Sequence, residues 1–231
     1  MGLDLHNHIL PGIDDGANDF NESYKLRIAL KQRGIDACIY TPHIYKEIHP
    51  NTKQTIQNSF DNLMNNILYQ TEFANDRYAA EYMLDNSLYE MINENIDLLC
   101  VKDKHILLEF STLQKPLIAE EVVYNLLLKG YHPIIAHPER YLYLKSNKEY
   151  RFDYQKLKDM GCSFQLNLFS LSGQYGKAVK DTALKLLKNE MYDYASTDIH
   201  NIYQISSLDN LLKSFTWKKW SKYPFKNHEL I

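Results

Sequence analysis

The chain of 231 residues contains only three cysteines and no long apolar run. Cys38, Cys100 and Cys162 are an odd number without Cys-x-x-Cys spacing, which argues against a disulfide framework or a thiolate zinc site. No stretch approaches the roughly 18 apolar residues that a membrane-spanning helix requires. Residues 1–20 contain no basic residue ahead of an apolar core, so they do not resemble a signal peptide. These absences predict a cytoplasmic protein without membrane insertion.

Two familiar phosphate-handling signatures are also missing. No Gly-x-Gly-x-x-Gly or Gly-Lys-Ser/Thr loop follows the first apolar segment, which argues against a doubly wound nucleotide-binding sheet. A cysteine phosphatase requires an arginine six residues after its cysteine, but those positions hold Ile44, Ile106 and Leu168. The net charge of −3 argues against a nucleic-acid partner, whose phosphates require many basic side chains.

Short apolar segments alternate with amphipathic segments along the whole chain. The predicted strands are Leu3–His8, Asp36–Thr41, Arg77–Tyr82, His105–Phe110, His132–Ala136, Ser163–Asn167 and Tyr192–Thr197. Helices are predicted at Asn21–Arg33, Thr52–Phe73, Leu117–Lys129, Tyr150–Met160 and Lys177–Asn189, with a short helix and the apolar segment Leu98–Val101 between the third and fourth strands. Such a series of strand-then-helix units predicts an α/β fold with a parallel sheet, and closure into a barrel buries both faces of that sheet.

Metal-capable side chains recur where these strands end. In chain order, the nine candidates are His6, His8, Asp15, His43, Glu81, Glu109, His137, Asp198 and His200. The sixth predicted strand alone contributes none of them. Parallel barrels assemble their active sites at the carboxyl ends of the strands, so these side chains are expected to meet there.

Each candidate has an ordinary structural explanation when it is taken alone. His6 and His8 project from one face of a strand and suit one ion, but a single His-x-His motif is weak evidence. A lone histidine at a strand end is more often a hydrogen-bonded surface or core residue. Glu81 and Glu109 stand in apolar runs, where an unpaired carboxylate is costly to bury. The repeated placement at the same end of the strands therefore favours a metal cluster.

The chemistry of the candidate ligands indicates the kind of substrate. Nitrogen and oxygen donors suit Mn²⁺, Fe²⁺, Zn²⁺ or Mg²⁺, and so many ligands imply two or three ions. Three divalent cations outweigh the charge of four carboxylates, so the site favours an anionic phosphate ester. Metal ions of this kind lower the pKa of a bound water to about 7. Arg140, three residues after His137, is placed to clamp a phosphate with its two-pronged guanidinium group.

The same residues resemble those of a known superfamily. Its motifs are similar to His-Asn-His-Ile-Leu-Pro-Gly-Ile-Asp-Asp-Gly-Ala, Thr-Pro-His, Ala-Glu-Tyr, Ala-His-Pro-Glu-Arg-Tyr and Asp-x-His in this chain. The superfamily is that of polymerase and histidinol phosphatase (PHP) domains. Within it the resemblance is to bacterial CpsB/YwqE-like protein-tyrosine phosphatases, which are encoded with capsule and exopolysaccharide genes. It covers essentially the whole chain and implies a distorted (β/α)7 TIM-like barrel, the PHP fold, with residues 1–231 as a single metallophosphatase domain.

The resemblance also implies a role for each candidate ligand. It places His6, His8 and Asp198 on one ion, Glu81 as a bridge to a second ion completed by Glu109 and His137, and Asp15, His43 and His200 on a third. Mn²⁺ is the expected metal, with Fe²⁺, Zn²⁺ or Mg²⁺ as alternatives. Arg140, Asp198 and His43 are expected to act in catalysis, with a hydroxide that bridges the ions as the nucleophile.

The implied substrate is phosphotyrosine on a protein, and the implied partner is the tail of a cognate bacterial tyrosine kinase. The Asp-Asp-Gly segment ending at Gly16 favours the tyrosine-phosphatase branch over histidinol phosphatases. Relatives in that branch carry a second arginine soon after the Asp-x-His-Asn element, whereas no basic residue lies between His200 and Lys213 here. Either Arg140 works alone, or a lysine such as Lys46 takes the place of the missing arginine.

Three other functions remain open. The first is a small-molecule phosphatase, such as a histidinol phosphatase. The second is a nuclease of the same superfamily, which the acidic net charge disfavours. The third is a non-catalytic metal-binding module, which would be expected to have lost ligands, whereas all nine positions are filled here.

Overall fold

The structure is a computed structural model that describes residues 2–145 and 153–231. Its strands are β1 Gly2–Asp4, β2 Ile35–Tyr40, β3 His43–Ile44, β4 Arg77–Tyr78, β5 Glu81–Met83, β6 His105–Glu109, β7 His132–Ala136, β8 Ser163–Asn167 and β9 Tyr194–Ser196. Its α-helices are α1 Phe20–Lys31, α2 Lys53–Met64, α3 Ile67–Glu72, α4 Asn86–Asn93, α5 Ala119–Leu128, α6 Tyr154–Asp159, α7 Leu168–Ser172, α8 Lys177–Lys188, α9 Gln204–Lys213 and α10 Phe215–Trp220. Short 3-10 helices lie at Pro138–Arg140, Leu142–Lys145 and Asn227–Leu230.

The strands pair in parallel and form two sheets, in the orders β1-β2-β4 and β3-β5-β6-β7-β8-β9. β3 continues β2, and β5 continues β4. Across the gap between the sheets, Ala79 N donates to Tyr40 O at 2.8 Å and Glu81 N donates to Pro42 O at 3.1 Å. Pro42 has no N–H to donate, so the strand ladder is interrupted at that point.

The barrel closes between its first and last strands. Just beyond β1, His8 N donates to Ile199 O at 2.9 Å, and Asp198 N donates to His6 O at 2.8 Å. With β2/β3 and β4/β5 each counted as one interrupted strand, the ring has seven strand positions. The distorted (β/α)7 barrel expected from the sequence is thereby confirmed.

Several predicted elements need correction. The helix predicted over Thr52–Phe73 is two helices, because the side chain of Asn66 accepts hydrogen bonds from Leu68 N and Tyr69 N in the first turn of α3 and caps it. The strand predicted over Arg77–Tyr82 is divided between β4 and β5 at the interruption opposite Pro42. Between the third and fourth predicted strands, the short helix is α4, and the apolar segment Leu98–Val101 is neither helix nor strand. β7 and β8 have the predicted bounds.

Other helices were not predicted or are only partly described. The predicted helix Tyr150–Met160 begins outside the described residues, and its described part is α6. The helices α7, α9 and α10 were not predicted from the sequence. None of the helices in the described ranges combines the length and apolar character needed to cross a bilayer.

The barrel interior is apolar at one end and polar at the other. Along β6, Leu107 packs inside the barrel, while its neighbours Ile106 and Leu108 pack with the surrounding helices. The amino-terminal end of the barrel is closed by the last 3-10 helix, where Asn227 Nδ2 donates to Leu3 O at 3.0 Å. Polar side chains line the opposite end, where the carboxyl ends of the strands face solvent.

A buried ion pair attaches α1 to the sheet. Arg27 and Asp76 have fully buried side chains, with Arg27 Nε 2.6 Å and Nη2 3.0 Å from the carboxylate oxygens. The same carboxylate accepts hydrogen bonds from Cys38 N at 2.8 Å and from the hydroxyl of Tyr40. A buried charge is tolerated only when it is paired and hydrogen-bonded in this way.

We predict that Asp76→Ala destabilises the protein by about 3–5 kcal/mol, because it leaves the buried guanidinium of Arg27 unpaired. The free energy of unfolding in urea measures the effect. Asp209→Ala is the matched control, since it breaks the Arg33–Asp209 pair, in which the aspartate is 38% exposed. The control should lose no more than about 1 kcal/mol. Equal losses in the two variants would contradict the prediction.

Candidate metal centre

The nine predicted ligands meet at the carboxyl ends of the strands. His6 and His8 follow β1, Asp15 lies in the next loop, His43 begins β3, Glu81 begins β5, Glu109 ends β6, His137 follows β7, and Asp198 and His200 follow β9. Four overlapping groups of these side chains offer ligand atoms within 4.8 Å of one another. Together the four groups include all nine residues, so the structure brings every predicted ligand into one cluster.

Glu81 lies at the centre of the cluster. Its carboxylate is fully buried, and Oε2 lies 3.1 Å from His6 Nε2, 3.4 Å from His8 Nε2 and 3.1 Å from His43 Nδ1. Oε1 lies 3.2 Å from His137 Nε2. One carboxylate that faces four imidazole rings has the geometry of a ligand that could be shared between ions.

The outer part of the cluster is more open. His43 Nε2 lies 3.5 Å and His200 Nε2 lies 3.4 Å from the same oxygen, Oδ1 of Asp15. The rings of His8 and His200 stack with their centroids 3.9 Å apart. The side chain of Asp15 is 57% exposed, so solvent and a ligand can reach this part of the site.

The groups that the candidate ligands form differ from the predicted division among three ions. Glu81 and Glu109 fall in one group with His43, whereas His137 falls in another. The predicted second ion pairs the two glutamates with His137, whose Nε2 lies 3.8 Å from Glu109 Oε1. The assignment of each ligand to one ion therefore stays a prediction.

The unsatisfied atoms at the centre fit a metal. Glu81 Oε2 has no hydrogen-bond partner among the described residues, although three imidazole nitrogens lie within 3.4 Å of it. His6 Nε2 and His8 Nε2 lie 3.4 Å from each other. Nitrogen and oxygen atoms that converge on a carboxylate oxygen without a hydrogen-bond partner can be joined by an ion in their midst. The all-nitrogen-and-oxygen donor set suits Mn²⁺, Fe²⁺, Zn²⁺ or Mg²⁺.

Burial and mutual charge shift the protonation of the cluster. Burial opposes the protonation of His6, but the carboxylates of Glu81 and Asp198 raise its pKa to about 9. Burial, and then the charge of Glu81, raises the pKa of Glu109 to about 7. Burial lowers the pKa of His137 to about 4. A bound cation would take over the charge balance that protons otherwise supply, so metal binding should release protons.

Two residues that hold the ligands were missed in the sequence. Gln165 Oε1 lies 2.9 Å from His6 Nδ1, and Asn167 Nδ2 donates to Asp198 Oδ2 at 2.7 Å. Both belong to β8, the strand from which no ligand was predicted. Polar residues alternate with apolar ones over Ser163–Asn167, and that alternation was the available signal that both amides face the barrel interior.

The loop after β1 is held by its own contacts with the first strand. Asp14 Oδ2 lies 2.8 Å from His8 Nδ1 and accepts from His43 N at 3.2 Å, so Asp14 orients two ligands without being one of the nine. Ala17 N donates to His8 O at 3.0 Å. At Gly16 a Cβ atom would lie 2.0 Å from His8 O, so only glycine allows this close approach.

The structure places Arg140 beside the cluster. Its Nη1 is 3.3 Å from Asp198 Oδ2, and its guanidinium group lies 4.7 Å from the ring centroid of Tyr175. The hydroxyl of Tyr175 accepts from Asn167 Nδ2 at 3.2 Å. The arginine side chain is 25% exposed, so its remaining N–H groups can reach a ligand.

The cluster forms the floor of a cleft of about 460 Å³. One wall is the loop Tyr45–His49, in which His49 N donates to Tyr45 O at 2.7 Å and the ring of His49 stacks on His43 at 5.3 Å. Lys46, considered as a replacement for the missing arginine, is not among the described residues that line the cleft. Its Nζ lies 4.0 Å from Glu90 Oε2 on the surface.

Comparison with known proteins identifies relatives over most of the chain. Residues 2–213 match the family described as capsular polysaccharide synthesis, CpsB/CapC. The tyrosine-protein phosphatase YwqE of Bacillus subtilis is 31% identical over 201 residues, which cover 87% of this chain and 78% of that protein. The tyrosine-protein phosphatase CpsB of Streptococcus pneumoniae is 28% identical over 232 residues, which cover 94% of this chain and 92% of that protein.

Solved structures agree with the sequence relatives. Crystal structures of YwqE from Bacillus subtilis and CpsB from Streptococcus pneumoniae, described as metal-dependent tyrosine phosphatases, include a chain that matches with a TM-score of 0.79 at 27% identity, covering 97% of this chain and 89% of that one. Histidinol phosphate phosphatase from Lactococcus lactis matches with a TM-score of 0.53 at 15% identity over 92% of both chains, which shows a shared fold alone. Since the family match extends over nearly the whole chain, the protein belongs to the CpsB/CapC family.

Proposed function

We propose that this protein is a metal-dependent protein-tyrosine phosphatase that acts on a bacterial tyrosine kinase of capsule or exopolysaccharide synthesis. The observation that carries the proposal is the convergence of nine nitrogen and oxygen ligands beside one guanidinium group at the floor of an open cleft. Relatives named tyrosine-protein phosphatases support it. In this proposal residues 1–231 act as one domain, in the cytoplasm, where the three free cysteines stay reduced.

The nine clustered side chains are the proposed ligands of two or three ions, and Mn²⁺ is the proposed metal. Glu81 is proposed as the bridge, because it contacts four imidazoles that come from three separate segments. Divalent ions supply an activated water and neutralise phosphate charge when they are bound. The protein's own part is to hold these ligands in a fixed arrangement and to orient the phosphate.

Arg140 is the proposed clamp for the phosphate. Its guanidinium can donate two parallel hydrogen bonds to phosphate oxygens and can stabilise negative charge that develops on them. The contact with Asp198 Oδ2 and the stacking on Tyr175 hold the group at the edge of the cluster. Asp198 is therefore proposed to act with Arg140, and His43, which lines the cleft, is proposed to act beside it.

The cleft also suits the aromatic ring of phosphotyrosine. Ile48 lines the cleft with a side chain that is 61% exposed, and it offers an apolar surface beside Tyr45 and His49. Arg140 lines the same cleft as this wall, so a phosphate held there and an aromatic ring beside the wall would share one cavity. The tyrosine leaving group has a pKa of about 10, so it departs more readily than an alkoxide.

We predict that removal of metal abolishes hydrolysis and that Mn²⁺ restores it best. The measurement is the rate on a phosphotyrosine peptide after chelation and refilling with each divalent ion, together with metal content by mass spectrometry. Glu81→Ala should lower both the metal content and the rate, because four imidazoles lose their shared carboxylate. Glu90→Ala removes an exposed carboxylate and is the control. Full activity in metal-free protein would contradict the proposal.

We predict that Arg140→Ala lowers kcat/KM by about 10²–10³, the usual loss when a preorganised donor is removed from a developing negative charge. Arg140→Lys should recover little, because lysine lacks the planar fork. The urea midpoint should hardly change, since the side chain is partly exposed. Arg33→Ala is the control, because its guanidinium pairs with Asp209 away from the cleft. An unchanged kcat/KM in Arg140→Ala would remove the assignment.

We predict that a phosphotyrosine peptide is hydrolysed with a higher kcat/KM than phosphoserine peptide, histidinol phosphate or single-stranded DNA. The four substrates should be compared with the same metal-loaded preparation. If histidinol phosphate is turned over tenfold faster than any phosphotyrosine peptide, the protein is a small-molecule phosphatase. If none is hydrolysed while metal is bound, it is a metal-binding module without catalysis.

A further inference from the structure

β8 supplies none of the nine candidate ligands, yet its side chains contact several of them. Gln165 and Asn167 are fully buried and lie two residues apart, so both project into the barrel. β8 is paired with β7 on one side and with β9 on the other. His137 follows β7, and Asp198 lies two residues after β9. The two amides of β8 therefore lie between candidate ligands that come from different strands.

The hydrogen bonds of Gln165 fix the orientation of its amide group. Nε2 donates to Leu166 O at 2.6 Å, and a carbonyl oxygen can only accept. Oε1 accepts from His137 N at 3.3 Å, and a backbone N–H can only donate. Both contacts agree that the oxygen, rather than the nitrogen, faces His6. Since His6 Nδ1 lies 2.9 Å from this oxygen, Nδ1 must carry a proton.

A proton on Nδ1 decides which nitrogen of His6 is available as a ligand. Nε2 lies 3.1 Å from Glu81 Oε2 and 3.3 Å from Asp198 Oδ1, in the middle of the cluster. A neutral imidazole has one protonated and one unprotonated nitrogen, so a fixed Nδ1–H leaves the lone pair on Nε2 for a metal.

The second contact of Gln165 falls on a strained residue. His137 has φ of +33°, in the left-handed region that residues other than glycine rarely adopt. Such a conformation persists only where surrounding contacts hold it. Asp198 is similar, with φ of +53° and a carboxylate that Asn167 holds at 2.7 Å. The amides of β8 therefore contact two ligands whose backbone requires support.

We propose that Gln165 is a positioning residue of the metal centre, which holds His6 in its Nδ1–H form and fixes His137 through the same oxygen. One neutral acceptor thus sets the geometry of two ligands that are 131 residues apart in the chain. The inference rests on the proposed ligand set and adds a residue that binds no metal itself. A buried amide that served packing alone would need no particular orientation toward His6.

The test compares zinc binding by three forms of the full chain. Gln165→Met keeps the shape of the side chain and removes the acceptor, whereas Gln165→Glu keeps an acceptor for the His6 proton. Gln165→Met should bind Zn²⁺ about 10–100-fold more weakly, which is the usual effect of losing a residue that orients a metal ligand. Gln165→Glu should recover most of that affinity. Affinity is measured by competition with a chelator of known strength.

Proton-detected nitrogen NMR of the zinc-loaded protein gives an independent readout. His6 should show a protonated Nδ1 in the wild type and in Gln165→Glu, and should lose that signal or show it exchange-broadened in Gln165→Met. Gln174→Met is the matched control, because Gln174 lines the same cleft without a hydrogen bond to the ligands among the described residues. Its zinc affinity should equal that of the wild type.

The outcomes separate this inference from the proposed function. Wild-type affinity and an unchanged His6 signal in Gln165→Met would overturn the inference, even if the variant were less stable to urea. Equal losses in Gln165→Met and Gln165→Glu would also overturn it, because the acceptor would then not matter. A wild-type protein that binds zinc but fails to hydrolyse phosphotyrosine would refute only the proposed function, since the comparison is read from metal binding.

Discussion

The end of the barrel at which the strands have their carboxyl ends depends on one constraint, which is a carboxylate buried among four imidazole rings. Glu81 is fully buried, and a charge in that position is costly unless opposite charges surround it. Its partners come from β1, β3 and β7, so no local stretch of chain could assemble them. Closure between the first and last strands then brings His6 beside Asp198. Closure of the barrel thus places the imidazoles around this carboxylate as it leaves water.

The contacts that stabilise the fold and the side chains of the candidate metal centre lie in different parts of the molecule. The apolar interior at the amino-terminal end and the packing between barrel and helices supply the burial that keeps the fold together. The Arg27–Asp76 pair lies in the outer layer, away from the cleft. The ligand end contains strained backbone at His137 and Asp198. It also places Glu109 beside Glu81, and their mutual repulsion opposes folding until a cation balances it. Binding of metal should therefore stabilise the protein by mass action.

The clustering of the candidate ligands could be predicted because most of them stand at or just past the ends of the predicted apolar strands, and parallel strands end on one side of a barrel. The sequence did not reveal which residues orient them, because Gln165 and Asn167 gain that role only through neighbours distant in the chain. The predicted helix boundaries were wrong where a single side chain determines the boundary, as at Asn66. The interruption opposite Pro42 depends on pairing between strands, which a single segment does not show.

The contact of Gly16 with His8 O has a consequence for how this site can vary. After β1 the chain forms a loop that contains Asp14 and Asp15. The loop then returns to His8 O, which accepts a hydrogen bond from Ala17 N. Contacts therefore hold both ends of this loop, and they constrain the number of residues that it can contain. An insertion or deletion between His8 and Ala17 would shift two aspartates at once, whereas the loop after β6 carries the exposed side chains of Leu113 and Leu117. Changes in loop length that accumulate around this cleft should spare the first loop and alter the others.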